Sequence, residues 1–348
     1  MKNNKRLFKG LFIVIAIYLL VFQPIPYYIE RPGSAIEVNS MVEVNGEGDE
    51  SEGEFMMTTV EMLQATPLSS LLQLFPYHTV LGEEELLGNV EDYDAYRLIQ
   101  NYYMTHSKNT AKAAAFNAAD LPYQLEFFGV YVMSISQESD FSDSLEIGDS
   151  ILSIDGQAFA NTEEFIQYIA DKDNGDTVTL TVERESEVFK ASGELVELAE
   201  TGNPGIGISL VTRSTVQTEP SVSIESGSIG GPSAGLMFAL QIYSMITEEP
   251  IRGDHTIAGT GTITEDGLVG RIGGVDKKVV AADREGASVF FVPDDEADAL
   301  TLEYFPDYKS NYEVAIEAAE DIDTEMEIVP VKHISDAIAY LNELNDMD

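Results

Sequence analysis

The hydrophobic and polar positions of this chain follow patterns that each predict one kind of element. Residues 11–29 contain no charged side chain, which is typical of a helix in an apolar environment. Four runs predict strands because they are apolar, β-branched or alternating: FMMTTV at 55–60, FFGVYV at 127–132, TVTLTV at 177–182 and AGTGTIT at 258–264. Residues 93–119 are rich in alanine and predict a helix. Helices and strands are mixed along the chain, so the predicted fold class is α+β.

The N-terminus combines a basic start with the uncharged stretch. About 20 apolar residues cross a bilayer as a helix, and we expect Pro24 and Pro26 to end this helix near Phe22. We therefore predict a transmembrane signal anchor over residues 7–27. The basic residues before it are Lys2, Lys5, Arg6 and Lys9.

The orientation follows from that basic flank. Positive charge beside a membrane helix stays in the cytoplasm, so we expect residues 1–9 to be cytoplasmic. The rest of the chain is then extracytoplasmic, and the protein is a single-pass protein of the cell membrane. A cleaved signal peptide is the alternative, with a weak small-x-small site at residues 33–35.

Composition and charge exclude several classes of function. The formal net charge is −42, which disfavours nucleic acid as a partner because phosphate backbones are repelled. The chain has no cysteine and only four histidines, without the HExxH spacing, so we expect no metal site and no thiol chemistry. No cofactor is expected. Residues 43–54 carry six acidic residues and three glycines, a pattern that predicts a loop.

Residues 124–198 form a compact unit of their own. The run LEIGDSILSIDG at 145–156 predicts a turn, a buried strand and an Asp-Gly turn. This stretch resembles a PDZ domain, a small β-barrel-like fold with helices. The resemblance implies a groove in which a peptide adds as a further strand. The alternative is that the same apolar residues only fill a small core. The expected groove residues are Phe128, Gly129, Val130, Tyr131, Val132, Phe165 and Ile169.

A glycine-rich loop and a lysine pair carry the candidate chemistry. Ser233 lies in GSIGGPSAG at 227–235, directly before the apolar run 236–243, so it is placed at a helix N-terminus whose N–H groups suit an oxyanion. The simpler interpretation is that Ser233 caps the helix. Lys278 precedes VVAA at 279–282. Burial there would lower its pKa and make it a general base, although such a pair is more often a solvated helix start.

Together these segments resemble the proteolytic domain of Lon-type serine proteases. The matching motifs are GPSAG at 231–235, TGTIT at 260–264 and GGVDKK at 273–278, in the family's order. The resemblance covers residues 203–345 and implies a Ser–Lys dyad of Ser233 and Lys278. It also implies supporting roles for Thr260, Gly231 and Pro232.

Residues 35–122 resemble the first strand and helix of the same domain, though more weakly. If they belong to it, the PDZ unit is inserted into the protease domain. The alternative is that the PDZ unit precedes a protease domain confined to residues 203–345.

The whole arrangement resembles a family of bacterial membrane-anchored, ATP-independent Lon-like PDZ proteases. The resemblance implies polypeptide substrates, a peptide ligand for the PDZ groove, attachment to the membrane through the N-terminal helix and, because Lon-type domains often form rings, a homo-oligomer. No GxxxxGK[ST] motif is present, so ATP is not an expected partner. Two alternatives remain: a catalytically silent membrane-anchored PDZ scaffold, and an α/β-hydrolase-type esterase that uses Ser233 and His333.

Overall fold

The computed structural model describes residues 2–88, 90, 92–198, 201–249, 251–297, 301–302 and 305–347. Its helices are α1 (Lys2–Phe22), α2 (Glu83–Leu87), α3 (Tyr93–Ala118), α4 (Thr162–Ala170), α5 (Gly235–Thr247), α6 (Val275–Arg284), α7 (Asn311–Asp321) and α8 (Ile334–Met347), with a 3₁₀ helix at Ser69–Leu74.

The strands alternate with these helices along the chain. They are β1 (Tyr27–Glu37), β2 (Val42–Val44), β3 (Glu54–Gln64), β4 (Thr79–Gly82), β5 (Tyr123–Ile135), β6 (Ser150–Ile154), β7 (Thr177–Arg184), β8 (Glu187–Glu194), β9 (Val196–Glu197), β10 (Pro204–Gly205), β11 (Ile208–Thr218), β12 (Val222–Ile224), β13 (Thr256–Gly259), β14 (Thr262–Ile263), β15 (Val269–Gly270), β16 (Val289–Pro293) and β17 (Glu327–Val331). The predicted mixture of helices and strands is confirmed.

A six-stranded mixed sheet organises one part of the molecule. Its strand order is β17-β16-β13-β3-β1-β4, with β13 parallel to both β16 and β3 and with β1 antiparallel to β3 and β4. The sheet joins strands on both sides of residues 123–218 in the sequence. Segments that precede and follow the PDZ-like unit therefore lie in one sheet.

Helices cover both faces of this sheet because side chains alternate along its strands. On one face Phe55 and Met57 pack with α3, α5 and α8 in a core that also holds Phe116 and Phe238. On the other face Met56 packs with α6 and α7. The inner strands β13 and β16 are thus buried on both sides, and the loops at the strand ends remain available for a site.

A second sheet, of order β11-β5-β6-β7-β8, is all antiparallel. Its core includes Val130, Val132, Phe165 and Ile169. The two longest strands of this sheet, β5 and β11, pair along Tyr123–Ile135 of β5. They form a ribbon that extends from the sheet toward α3.

Helix α3 contacts both sheets. Asn109 accepts a hydrogen bond from Val216 N and donates one to Ser214 O, both on β11, at 3.3 and 2.8 Å. Tyr102 donates to Gly148 O at 3.0 Å, and its ring lies 4.1 Å from that of Tyr131. The helix predicted over 93–119 is therefore confirmed, and it connects the two parts of the molecule.

Helix α1 ends at Phe22, two residues before Pro24, as expected. No helix of the described part of the chain is both long enough and apolar enough to cross a membrane, so the transmembrane helix expected at residues 7–27 is not supported. Of the basic flank at residues 1–9, Met1 and the side chains up to residue 8 lie outside the described residues.

One predicted strand is wrong in its extent. Residues 258–264 were expected to form a single strand, but β13 ends at Gly259 and β14 begins at Thr262. The backbone leaves the sheet at this point because Gly261 N donates to Ser233 O at 2.9 Å. The break brings Thr260 against the glycine-rich loop.

Candidate active site

Ser233 lies on the loop between β12 and α5, two residues before the helix begins at Gly235. Its carbonyl oxygen accepts hydrogen bonds from Gly261 N at 2.9 Å and from Thr260 Oγ1 at 3.1 Å. These bonds fix the backbone of Ser233 against the broken strand. The positive end of the α5 dipole is close by and favours negative charge next to Ser233.

Two residues of α3 hold the loop that precedes Ser233. Gly231 N donates to Gln100 O at 2.8 Å, and Ser107 Oγ donates to Pro232 O at 2.9 Å. Gly231 has a φ of +94°, a conformation that L side chains rarely adopt. The loop is therefore held from both sides, by α3 and by Thr260 and Gly261.

Lys278 reaches the same place from α6. Its Nζ lies 2.7 Å from Ser233 Oγ and 2.9 Å from Thr260 Oγ1. The lysine side chain is 3% exposed, and desolvation by burial lowers its pKa to about 7, against a weaker opposing effect of the Glu30 charge. Lys278 therefore has access to its neutral form near neutral pH, as a general base requires.

The neighbouring lysine has a different environment. Lys277 Nζ lies 3.0 Å from Glu30 Oε2 and 3.3 Å from Asp276 Oδ2, whereas among the described residues no ion pair involves Lys278. The simpler interpretation of the pair as a solvated helix start is wrong, because both lysines are buried. Lys277 is thus engaged with two carboxylates, whereas Lys278 is the lysine that contacts Ser233 Oγ.

A cleft of about 1010 Å³ opens beside Ser233. Its walls combine apolar side chains, including Met57, Met104 and Ile229, with polar and charged groups from β1, β3 and α3. An extended polypeptide fits such a cleft better than a compact domain. Among the described residues no group of His, Asp and Glu side chains is arranged to hold a metal ion.

His333 is not a partner of Ser233. Its Nε2 lies 2.7 Å from Asp266 O, and its Nδ1 lies 2.8 Å from Ser335 Oγ. Both ring nitrogens are thus engaged elsewhere, while Ser233 Oγ contacts Lys278. This geometry disfavours the esterase alternative, which needs His333 as the base of Ser233.

The expected PDZ groove is misplaced. Residues 128–132 belong to β5, which pairs with β11 on one side and with β6 on the other, so this strand offers no free edge to a peptide. Phe165 and Ile169 face the core of the sheet. Gly129 has a structural role, since a Cβ there would lie 2.1 Å from Ile151 O.

The free edge next to helix α4 belongs to β11 instead. This strand ends the sheet, and Thr162 Oγ1 of α4 lies 2.8 Å from Thr212 Oγ1 of β11. Ile208 and Leu210 pack toward the same core as Phe165. The apolar run 127–132 indicated a strand correctly, but it did not reveal that both edges of this strand are occupied.

Sequence reasoning placed Ser233, Lys278, Thr260, Gly231 and Pro232 in one site, and the structure brings all five together. It missed Gln100 and Ser107. The only signal in the sequence was the polar run SKN at 107–109, which interrupts an alanine-rich helix. Polar residues in such a helix indicate hydrogen bonds to other segments.

Two family models match separate parts of the chain. Residues 216–341 match the family model of the Lon protease (S16) C-terminal proteolytic domain, and residues 98–195 match that of the PDZ domain. The Lon protease of Clostridioides difficile (strain 630) is 31% identical over 177 residues, which cover 46% of this chain and 20% of that protein. Lon protease 2 of Bacillus subtilis (strain 168) is 44% identical over 72 residues, which cover 21% of this chain and 13% of that protein.

Among solved structures, a PDZ domain of an SdrC-like protein from Listeria monocytogenes is similar to part of the chain. The two are 41% identical with a TM-score of 0.25, and the match covers 25% of this chain and 93% of that domain. The chain spans about a fifth or less of the length of the two Lon proteases above.

Proposed function

We propose, from the premise that the chain carries a Lon-type proteolytic domain and a PDZ domain, that it is a serine endopeptidase with a Ser–Lys dyad. The observation that carries the proposal is the 2.7 Å contact between Ser233 Oγ and a buried Lys278 whose pKa lies near 7. Acyl transfer needs a nucleophile, a base with a matched pKa and a group that orients the base. Here Ser233, Lys278 and the hydroxyl of Thr260 are placed for these roles.

The proposed reaction follows from these contacts. Neutral Lys278 accepts the proton of Ser233 Oγ while the oxygen attacks a peptide carbonyl, and the resulting oxyanion lies near the N-terminus of α5. Collapse breaks the C–N bond, and Lys278 returns the proton to the departing amine. Lys278 then deprotonates a water molecule that hydrolyses the acyl-enzyme and regenerates Ser233.

The substrates we propose are unfolded or flexible polypeptide segments, cut without ATP. The open cleft of about 1010 Å³ admits an extended chain, and these 348 residues contain no phosphate-binding GxxxxGK[ST] loop. These 348 residues are therefore expected to cut segments that are already accessible.

For the PDZ domain we propose peptide binding at the edge of β11 over residues 208–212, beyond the part of this edge that Asn109 of α3 bonds at Ser214 and Val216. A peptide strand that adds there satisfies the unpaired backbone groups of the edge. Its side chains then meet Ile208, Leu210 and the residues of α4. The ligand and the substrate are both polypeptides, so this domain is suited to hold a substrate near the cleft.

Location and assembly stay predictions of the sequence. We propose attachment to a membrane through α1, with the PDZ and protease domains outside the cytoplasm, and a homo-oligomer by analogy with Lon-type rings. Membrane flotation of the full chain and its mass in solution measure these two properties independently of proteolysis.

The decisive experiment compares the full chain with Ser233→Ala and Lys278→Ala on an unstructured protein without ATP. We expect both variants to lose on the order of 10³-fold or more of the cleavage rate. His333→Ala and the exposed Lys190→Ala are matched controls that should cleave like the parent. Cleavage by both active-site variants at the parental rate contradicts the proposal, and a parent that cleaves nothing favours the scaffold alternative.

A further inference from the structure

Besides residues 11–29, a second long segment of this acidic chain carries no charge. Residues 62–82 contain no Asp, Glu, Lys or Arg, although 23% of all residues are charged. Within it lies a surface that we call the apolar collar, residues 68–75, built on the 3₁₀ helix Ser69–Leu74. Its large side chains face outward, with exposed fractions of 49% for Leu68, 52% for Leu71, 78% for Leu74 and 59% for Phe75.

The collar is a built turn rather than a loose loop. Thr66 N donates to Ser69 Oγ at 2.7 Å, and Ser69 N donates to Thr66 Oγ1 at 3.1 Å. Phe75 N then donates to Leu72 O at 2.9 Å. An ordered turn that presents leucine and phenylalanine to the outside marks an interaction surface.

The collar lies at the base of α1. Leu68 N donates to Leu20 O at 2.9 Å, and Ala65 exchanges backbone hydrogen bonds with Ile25 and Tyr27 at 2.9 and 2.8 Å. The exposed apolar surface of α1 therefore continues directly into the exposed apolar surface of the collar.

The occupant must surround α1, because consecutive residues of the helix are exposed on all sides. Phe12, Ile13, Val14 and Ile15 are 73%, 57%, 63% and 48% exposed. A protein groove covers one face of a helix, whereas lipid covers every face. The charges agree: four basic residues precede Gly10 while all 61 acidic residues follow Ile29, so the neutral collar is where this acidic chain meets an anionic bilayer with least repulsion.

We propose that the apolar collar binds a lipid bilayer surface beside α1, with Leu71, Leu74 and Phe75 among the acyl chains. This inference goes beyond proteolysis but rests on the proposed attachment through α1. It gives the protein a second lipid contact, and two contacts fix the orientation of a domain on a membrane, which a single helix does not.

The absence of tryptophan from the chain makes the test direct. Leu74→Trp in the full chain places one fluorophore on the collar, and Val188→Trp, at a position 62% exposed on β8, is the matched control. Each protein is mixed with vesicles of equimolar phosphatidylcholine and phosphatidylglycerol, with and without bromine on the acyl chains. We expect the Leu74→Trp emission to shift to shorter wavelength and to be quenched by bromine, and the Val188→Trp emission to do neither.

The other outcomes separate the claims. If the protein floats with vesicles but its Leu74→Trp emission stays at long wavelength and is quenched by iodide, the collar proposal is wrong and attachment through α1 is retained. Emission shielded from iodide but not quenched by brominated lipid means that a second copy or another protein covers the collar, which also overturns it. Failure to float refutes attachment and collar together, while cleavage by the same sample still decides the proposed protease activity.

Discussion

Lys278 determines how the proposed activity depends on pH. Because burial lowers its pKa to about 7, the base is protonated and inactive below that pH and neutral above it. We expect kcat/KM to rise about tenfold per pH unit below 7 and to level off above it. A pH–rate profile on an unstructured substrate measures this, and a rising limb near the ordinary lysine pKa of about 10.4 would contradict the assignment.

Thr260 is placed to orient the proposed base, Lys278. Its Oγ1 donates a hydrogen bond to Ser233 O and can therefore accept one from Lys278 Nζ, 2.9 Å away. The lone pair of the neutral amine is then free to accept the proton of Ser233 Oγ. Thr260→Val should lower kcat by about 10- to 100-fold and move the rising limb of the pH profile. Thr260→Ser keeps the hydroxyl and should retain most activity; equal losses in both variants would indicate a packing role only.

At the residue scale, the sequence predicted which side chains lie together where short motifs carry them, and it missed contacts made through the backbone. Ser233 and Lys278 stand in short glycine-rich motifs that point to acyl transfer. Ser107 acts on the carbonyl of Pro232, 125 residues away. Any residue type can supply a carbonyl oxygen, so no pattern of side chains reveals such a partner.

At the scale of elements, α3 positions the nucleophile loop. We expect Ser107→Ala to lower kcat by up to about 100-fold, because Pro232 O loses its donor and Ser233 is less precisely held. KM and the rising limb of the pH profile should be unchanged, since neither the cleft nor Lys278 is altered.

The matched control is Thr105→Ala on the same helix. Its hydroxyl is exposed and, within the described part of the chain, donates to Asn101 O of the same helix at 3.0 Å. Measured kcat and KM for both variants decide the matter: equal effects of the two substitutions would mean that Ser107 contributes to helix stability and not to positioning.

Elements were predicted more reliably than their partners. Apolar runs located β3 and β5, alternation located β7, and alanine content located α3. Alternation tells which face of a strand is buried, but both edges of a strand look alike in sequence. For that reason the groove was assigned to β5, whose edges are both paired, instead of to β11.

At the scale of the whole molecule, Arg252 anchors the acidic loop predicted at residues 43–54. Its side chain is fully buried and lies 2.7 Å from Asp49, which also accepts from Gln241 Nε2 at 2.6 Å. Arg252→Met should destabilise the fold by about 3–5 kcal/mol, because Asp49 is left as an unpaired buried charge.

Denaturant unfolding of the full chain measures this loss. Lys309→Met is the control, since its ion pair with Glu317 is half exposed and such pairs contribute about 0–1 kcal/mol. Similar small effects of both substitutions would show that the loop tolerates loss of its anchor.

The six-stranded sheet predicts that residues 203–348 do not fold alone. Without β3, strand β13 loses a parallel neighbour, and the core loses Phe55, Met57 and Phe116. We expect this fragment to be digested rapidly in limited proteolysis, whereas a fragment of residues 24–348 should resist. A stable 203–348 fragment would instead favour a protease domain confined to that range. The sequence suggested the shared sheet only weakly, because strand pairing across an inserted unit leaves no local pattern.

The distance along the chain between the two reacting groups has a consequence for biosynthesis. Ser233 is made 45 residues before Lys278, and β16 and β17 follow later still. While the ribosome is adding those residues, the serine hydroxyl has no base and the sheet behind it is incomplete. The proposed activity therefore requires synthesis of the chain through β17, and we expect a shorter nascent chain not to cut its neighbours.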